Sequence, residues 1–254
     1  IEVASADIKK IRDNFYPSKW IEEVARDKRY AFFNAVCNIY ETNKVLTAHH
    51  LDDKIETFFF NLARWSKLTG LINMTQESGW VIRPLLDISK EEILNYLHQN
   101  NLEYKIDETN KDTTITRNFL RHEIVPKFEN INENYKQNIS NMMEYLWEVK
   151  DHLDIQIKEF LDEQAMQIFN SKKFKINTLE IYGYFYISDF QKLSSLLQKE
   201  IIRHCFYISN NNSTIWLSSA NIDEIIRFIN GKNNKTEKII KNLKMKKENT
   251  IIIF

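Results

Sequence analysis

Val45-Leu46-Thr47-Ala48-His49-His50-Leu51-Asp52-Asp53-Lys54-Ile55-Glu56-Thr57-Phe58-Phe59-Phe60-Asn61-Leu62 is the stretch on which the fold reading turns. A short apolar run, Val45–Ala48, has the composition of a buried strand and halts at paired histidines and paired aspartates. From Leu51 to about Trp65 the apolar residues Leu51, Ile55, Phe58, Phe59 and Leu62 recur at helical spacing. A strand that ends in titratable groups and feeds a helix is how open α/β sheets build an active-site crevice. The junction therefore points to an enzyme, without naming a reaction.

Working outward, Pro17–Ser18 reads as a turn, and Trp20–Tyr40 carries helical spacing through Val24, Ala25, Phe32, Val36 and Ile39. Ile1–Ile8 is expected to be a short strand. Trp80–Ile82 reads as a brief extended piece stopped by Pro84. Ser89-Lys90-Glu91-Glu92 is a capping box, in which the Ser89 hydroxyl and the Glu92 carboxylate satisfy amides at a helix start. A polar loop, Asp107–Thr116, precedes Arg117–Pro126. From Asn130 onward helical stretches dominate, Asn134–Phe169 and Lys192–Ile208, with a tyrosine-rich segment at Ile181–Ile187 between them and a β-branched terminus at Thr250–Phe254. The expected fold is α/β: a partial Rossmann-like parallel-sheet domain over 1–130, then a mainly helical domain over 131–254.

Bulk properties bound the function. The 254 residues are 43% hydrophobic and 13% aromatic, enough to bury a core, so disorder is excluded. Four glycines and three prolines lean the reading toward helix. Cys37 and Cys205 are isolated, forming neither a disulfide framework nor a C-x-x-C pair, which fits a reducing, cytoplasmic setting. No stretch reaches the roughly 18 continuous apolar residues of a membrane helix, so no membrane role is expected, and no signal peptide is visible. Ile1 in place of methionine suggests a fragment or a processed chain. Zero formal net charge argues against indiscriminate coating of nucleic acid. Distribution matters more: Arg227 to Glu248 holds eight basic residues against Glu237 and Glu248. That run reads either as a solvated lysine-rich surface or as a phosphate-contacting one.

Two constellations carry chemistry. Asp52 and Glu56 share a helix face, and Asp53 and Glu56, three apart, can converge on one ligand. A helix N-terminus keeps such carboxylates ionised, suited to Mg²⁺ accompanying nucleotide phosphates or to an ammonium group. The plain alternative for either aspartate is an N-cap. His49 and His50 invite a transition-metal reading, but the ligand set is short, and a structural role at the strand end competes with it. The second constellation is Arg117, Asn118, Arg121 and His122. Arg117 and Arg121, one turn apart, form a fork for phosphate or carboxylate, or simply a solvated face. Asp107, Asn110 and Asp112 read as turn formers.

Five segments together, H-H-L-D-D-K-I-E-T, R-W-S-K-L-T-G-L, R-P-L-L-D-I-S-K-E-E-I, D-E-T-N-K-D and T-R-N-F-L-R-H-E-I-V-P, resemble the tRNA(Ile)-lysidine synthetase family of the PP-loop ATP-pyrophosphatase group. Ala25-Arg26 and Arg29-Tyr30 match as well, and the resemblance covers about Ile1 to Asn134. It implies an ATP-dependent carbon–nitrogen ligase acting on a CAU-anticodon tRNA(Ile). The C2 position of the wobble cytidine, C34, is adenylated, and the amine of L-lysine displaces AMP. By resemblance, Asp53, Glu56 and Arg121 match catalytic positions, with Asp53 also a Mg²⁺ ligand. Arg29 and His49 fall to the nucleotide, His49 in a supporting role, and Arg64 and Arg117 to RNA backbone. Lys238 and Lys241 of the basic run are expected to meet RNA, and a homodimer is left open.

The sequence departs from the family in three ways. The phosphate loop S-G-G-x-D-S is absent, and the chain opens near the family's third strand. Lys54 replaces a glutamine, and Trp65 and Lys67 replace two glycines, removing backbone freedom. A non-catalytic tRNA-binding remnant is therefore the alternative, followed by a metal-dependent phosphohydrolase built on His49, His50, Asp53 and Glu56.

Overall fold

The computed structural model describes residues 1–64, 67–72, 74–105, 113, 115–171, 183–210, 217–232, 235–241 and 243–254, with only the backbone for 169–171 and 235. Trp65, Asp107, Asn110, Asp112 and the start of the tyrosine-rich segment lie outside these residues. The chain divides into two compact units, Ile1–Leu146 and Trp147–Phe254.

In the first unit, residues 1–7 form no strand, contrary to expectation. Asp7 instead caps helix α1 (Ile8–Phe15), its Oδ1 accepting from the Lys10 amide at 3.0 Å, the bond that makes aspartate a preferred helix start. A turn at Pro17–Ser18 leads into α2 (Ile21–Ile39), which buries Val24 and Cys37. Strand β1 (Val45–Leu46) follows, then α3 (Leu51–Ala63) and the short α4 (Leu68–Leu71). Strands β2 (Glu77–Ser78) and β3 (Val81–Ile82) complete a small sheet of order β1-β3-β2, in which β1 and β3 are parallel and β2 runs antiparallel to β3. Leu46 is 70% exposed, so β1 is not the buried strand its composition suggested. It is an edge strand, hydrogen-bonded to β3 alone among the described residues.

Helix α3 owes its position to one apolar stripe. Leu51 and Ile55 are buried in a cluster with Val125 and Tyr135, and Phe59, Phe128 and Ile139 close around them. The Phe59 and Phe128 rings lie 4.6 Å apart. Ser89 starts α5 (Lys90–Gln99) with the expected box: its Oγ accepts from the Glu92 amide at 3.2 Å, and Glu92 Oε2 accepts from the Ser89 amide at 2.8 Å. The R-N-F-L-R-H segment forms α6 (Thr116–Phe119), runs through a π turn (Leu120–Ile124), and ends in a 3₁₀ turn (Val125–Phe128) holding Pro126. Single π turns inside helices recur at functional positions. The long α7 (Tyr135–Ser171) begins in this unit.

The second unit contains a four-stranded antiparallel sheet besides its helices, more β structure than the basic composition suggested. Its strands are β4 (Tyr184–Tyr186), β5 (Lys235–Ile240), β6 (Leu243–Glu248) and β7 (Ile251–Ile253), in the order β4-β7-β6-β5. Helices α8 (Ile187–Lys192), α9 (Ser195–Ser209) and α10 (Ser219–Asn230) supply Phe190, Ile201, Ile202, Phe206, Ile222, Ile225 and Ile229 to a core shared with Phe185, Leu243, Met245 and Ile252. The Phe185 and Phe190 rings stack at 4.8 Å. Along β6, Leu243, Met245 and Lys247 are buried while Lys244 and Lys246 are exposed, the period-two alternation of a strand with one face on a core. The lysine-rich run is thus two strands, and a single solvated surface does not describe it. No described helix is long and apolar enough to cross a membrane.

Candidate active site

The parallel pair sets the site. Beyond β1 the Thr47 amide donates to the Ile82 carbonyl at 2.9 Å, which carries the chain to the carboxyl end of the sheet. Thr47 Oγ1 then lies 2.9 Å from His49 Nδ1. His50 precedes the first turn of α3, and the Asp53 side chain folds back so that Oδ2 accepts from the His50 amide at 3.1 Å. Asp53 is therefore not the N-cap, a position His50 takes, but an acceptor at the third helical position, and its other oxygen points elsewhere.

That oxygen, Oδ1, lies 3.4 Å from Nη2 of Arg121. The same guanidinium makes a two-point contact with Glu56, Nε to Oε1 at 2.6 Å and Nη2 to Oε2 at 2.9 Å. Glu56 is only 4% exposed. Burial pushes the Glu56 carboxyl up, and the hydrogen bonds and positive charge of Arg121 oppose that rise. In return Glu56 holds the Arg121 guanidinium above its ordinary value, against burial. A bidentate, charge-assisted pair fixes orientation as well as energy. The three residues expected to be catalytic thus meet, and the π turn delivers Arg121 to the acidic pair.

Asp52 faces away from this cluster. Its Oδ2 accepts from the Lys90 amide and its Oδ1 from Lys136 Nζ, both at 2.7 Å. Burial raises the Asp52 carboxyl, but the bonds from Lys136 and Lys90 outweigh it and leave it below the ordinary 3.8. Asp52 ties α3 to the starts of α5 and α7. Lys54, in place of the family's glutamine, is 6% exposed; its Nζ donates to Ser140 Oγ at 2.9 Å and approaches Asp87 Oδ1 at 3.4 Å.

Burial lowers the His49 pKa below the ordinary imidazole value, the Asp53 charge opposes this, and Arg83, Arg26 and Arg117 add to the lowering. Arg83 is 5% exposed. Arg117 is exposed on α6 and Arg29 is exposed on α2. Arg64, at the end of α3, lies over the Phe60 ring at 5.0 Å. In the second unit, Lys238 pairs with Glu224 at 2.7 Å, while Lys241 occupies an exposed turn at φ 55°. Lys244 faces Glu237, Lys246 pairs with Glu248, and Lys247 is buried. Much of the basic run is therefore neutralised locally.

Sequence reasoning missed Arg83 and Lys136, and noted Lys54 only as a replacement. Arg83 had a signal, since it directly follows an extended run and precedes a proline. Lys136 had none, because its partner is 84 positions away. Among the described residues no group of three His, Cys, Asp or Glu side chains could hold a metal, so the phosphohydrolase reading lacks its ligand set there. Both Glu56 oxygens are taken by Arg121, which leaves Asp53 Oδ1 as the least committed donor. That suits a Mg²⁺ ion held chiefly by substrate phosphates, which asks one or two carboxylates of the protein.

Proteins named tRNA(Ile)-lysidine synthase match from Thermosipho africanus (37% identical over 202 residues, 74% of this chain and 46% of that protein) and Chlorobaculum tepidum (30% over 186 residues, 73% and 53%). One from Francisella philomiragia matches at 31% over 213 residues, 82% of this chain and 49% of its own. The chain spans about half the length of these curated relatives. The family model described as "PP-loop domain" matches residues 2–128, the span that contains the Asp53–Glu56–Arg121 cluster and the parallel strands, and this chain belongs to the PP-loop family.

Proposed function

We propose that this chain carries the reacting part of an ATP-dependent ligase that joins lysine to C2 of the wobble cytidine, C34, of a CAU-anticodon tRNA(Ile). In this reading residues 1–130 are the catalytic domain and 131–254 the tRNA- and substrate-binding domain. The observation that carries the assignment of roles is the two-point contact of Arg121 on Glu56, with Asp53 3.4 Å from the same guanidinium.

The chemistry has two steps. The C2 oxygen of the cytidine attacks the α-phosphorus of ATP, a P–O bond forms and pyrophosphate leaves. The lysine amine then attacks C2, the C–O bond to the adenylate breaks, AMP leaves and the amine gives up a proton. Mg²⁺, held with the ATP phosphates and Asp53, would neutralise charge on the leaving pyrophosphate. Asp53 receives the lysine ammonium through Oδ1, and the ammonium passes one proton to solvent before the amine attacks and a second once AMP has left. Glu56 holds the Arg121 fork in place, and Arg121 stabilises the negative charge that develops on the adenylated centre. Arg29 and His49 serve the nucleotide, His49 in a supporting role. Arg64, Arg117, Lys238 and Lys241 serve RNA backbone.

The test incubates the complete gene product with ATP, labelled lysine and a CAU-anticodon tRNA(Ile) transcript. Label should appear in the tRNA only when ATP is present. No transfer, under conditions where a relative's enzyme works, overturns the assignment.

A further inference from the structure

Asp53 lies between two residues that helix α7 holds. Asp52 Oδ1 accepts from Lys136 Nζ at 2.7 Å, and Lys54 Nζ donates to Ser140 Oγ at 2.9 Å. Lys136 and Ser140 are one turn apart on α7. Beside them on the same turns, Tyr135 and Ile139 belong with Leu51 and Ile55 of α3 to one apolar cluster. Helix α3 therefore meets α7 through an apolar pair and a polar pair set side by side. Ser140 and Lys54 are nearly buried, and the Lys136 side chain is 31% exposed.

The two pairs restrain different motions. Burial of apolar area is non-directional and tolerates a small rotation or slide of α3 along its stripe. Charge-assisted hydrogen bonds tolerate it poorly, because they weaken steeply away from their preferred angle. Such a rotation would carry Asp53 and Glu56 out of line with Arg121. The Arg121 fork cannot be the sole restraint, since in the proposed reaction it is shared with the negative charge on the adenylated centre. The side-chain contacts of Lys136 and Ser140 go to Asp52 and Lys54, outside the groups assigned to the chemistry. The second Asp52 oxygen is fixed by the Lys90 amide at 2.7 Å. A brace built from such residues stays in place while the reacting groups change partners.

We propose that Lys136, with Ser140, is a positioning residue for lysine transfer. Through Asp52 and Lys54 the two set the rotation of α3, and so the direction in which Asp53 Oδ1 and Glu56 face the reacting centre. This role rests on the ligase reading above. A misplacement of about 1 Å can cost a reaction roughly a hundredfold, so the brace acts on turnover rather than on tRNA binding.

The complete gene product, assayed for lysine transfer to a CAU-anticodon tRNA(Ile) transcript, supplies the measurement. Lys136→Met should lower kcat by about tenfold or more and leave the KM for tRNA unchanged. Lys136→Arg, which keeps a charged donor, should recover most of the loss. Asp52→Asn should lower kcat to a similar degree. Combining it with Lys136→Met should lower kcat no further, because residues acting through one contact are not additive. Ser140→Ala removes a single hydroxyl, leaves Lys54 its approach to Asp87, and should lower kcat severalfold even where Lys136→Met fails to fold. A loss that appears in the KM for tRNA makes Lys136 an RNA contact and overturns the proposal. Additive losses in the double variant overturn it as well, as does an unchanged kcat in Lys136→Met and Ser140→Ala beside lowered thermal stability. Wild-type protein that transfers no lysine overturns the ligase reading and this role with it, whereas active wild type beside unaltered variants overturns this role alone.

Discussion

Arg121 grips Glu56 across 65 positions of sequence, with Nε and Nη2 donating to the two carboxylate oxygens at 2.6 and 2.9 Å. The carboxylate is almost fully buried and the guanidinium is about a quarter exposed. The two partners therefore depend on each other unequally, which makes stability and activity separable.

Removing the arginine strands a buried charge, while removing the charge from the glutamate does not. Arg121→Ala should destabilise the first unit by about 3 kcal/mol, the range for breaking a buried pair. Glu56→Gln, nearly isosteric, should cost clearly less. Both should abolish lysine transfer in the complete gene product. Urea unfolding beside the transfer assay checks this, and a Glu56→Gln protein that retains full transfer removes Glu56 from the mechanism.

The Asp52–Lys136 pair should leave a signature in pH. Burial opposes both charges, yet hydrogen bonding leaves the Asp52 carboxyl below 3.8 and the Lys136 ammonium above 10.5. A lowered acid contributes stability in full above its unfolded pKa and loses it as pH falls through the folded one. A raised base contributes below its unfolded pKa and loses that as pH rises through the folded one. Asp52→Asn should therefore cost about 1–2 kcal/mol across neutral pH. On the acid side its deficit against wild type should shrink only below about pH 4, and on the alkaline side only above 10.5, where Lys136 loses its proton. A deficit that keeps its neutral size at pH 2 would refute the linkage.

Lys54 is the replacement whose role is clearest. Its ammonium joins Ser140 on α7 and Asp87, and Asp87 is itself half exposed. Lys54→Met keeps the volume, and water can solvate the released Asp87, so the cost should stay below about 1.5 kcal/mol. Lys54→Ala opens a void and should cost about 2–3 kcal/mol. Chemical denaturation ranks the two, and equal losses would place the effect in the charge and exclude packing.

Lys247 offers a contrasting titration in the second unit. Its Nζ donates to the carbonyls of Ile229, at 2.9 Å, and Gly231, at the end of α10, where a helix leaves acceptors without partners. Burial lowers its pKa below 10.5. The folded state thus releases the proton first, and this group's contribution rises with pH between the folded value and 10.5. Lys247→Met should cost about 1–2 kcal/mol near neutrality and flatten that rise. Thermal unfolding followed from pH 7 upward is the measurement.

Much of this organisation was legible without coordinates. The period-3.6 stripe of Leu51, Ile55 and Phe59 announced α3, the Ser89–Glu92 box announced α5, and Pro84 marked the end of β3. Asp53, Glu56 and Arg121 were singled out before any geometry placed them together. The helix at Ile8 was missed because Asp7 acts through one local hydrogen bond. The strands β5 and β6 were missed because Lys244, Lys246 and Lys247 hide a period-two pattern that only Leu243 and Met245 betray.

What the sequence determined by itself was local: where helices start, where the parallel strands end, and which titratable groups gather at the junction. These follow from spacing and capping, which act over a few residues. Tertiary structure alone decided which charges are spent and which remain available. Asp52 was drawn off to Lys136 and the Lys90 amide, Glu56 was closed by Arg121, and Lys238 was answered by Glu224. Arg83 was left buried without a carboxylate among the described residues. Pairing and burial depend on side chains far apart in sequence, and the energy of a charge is set by its solvent and its partner.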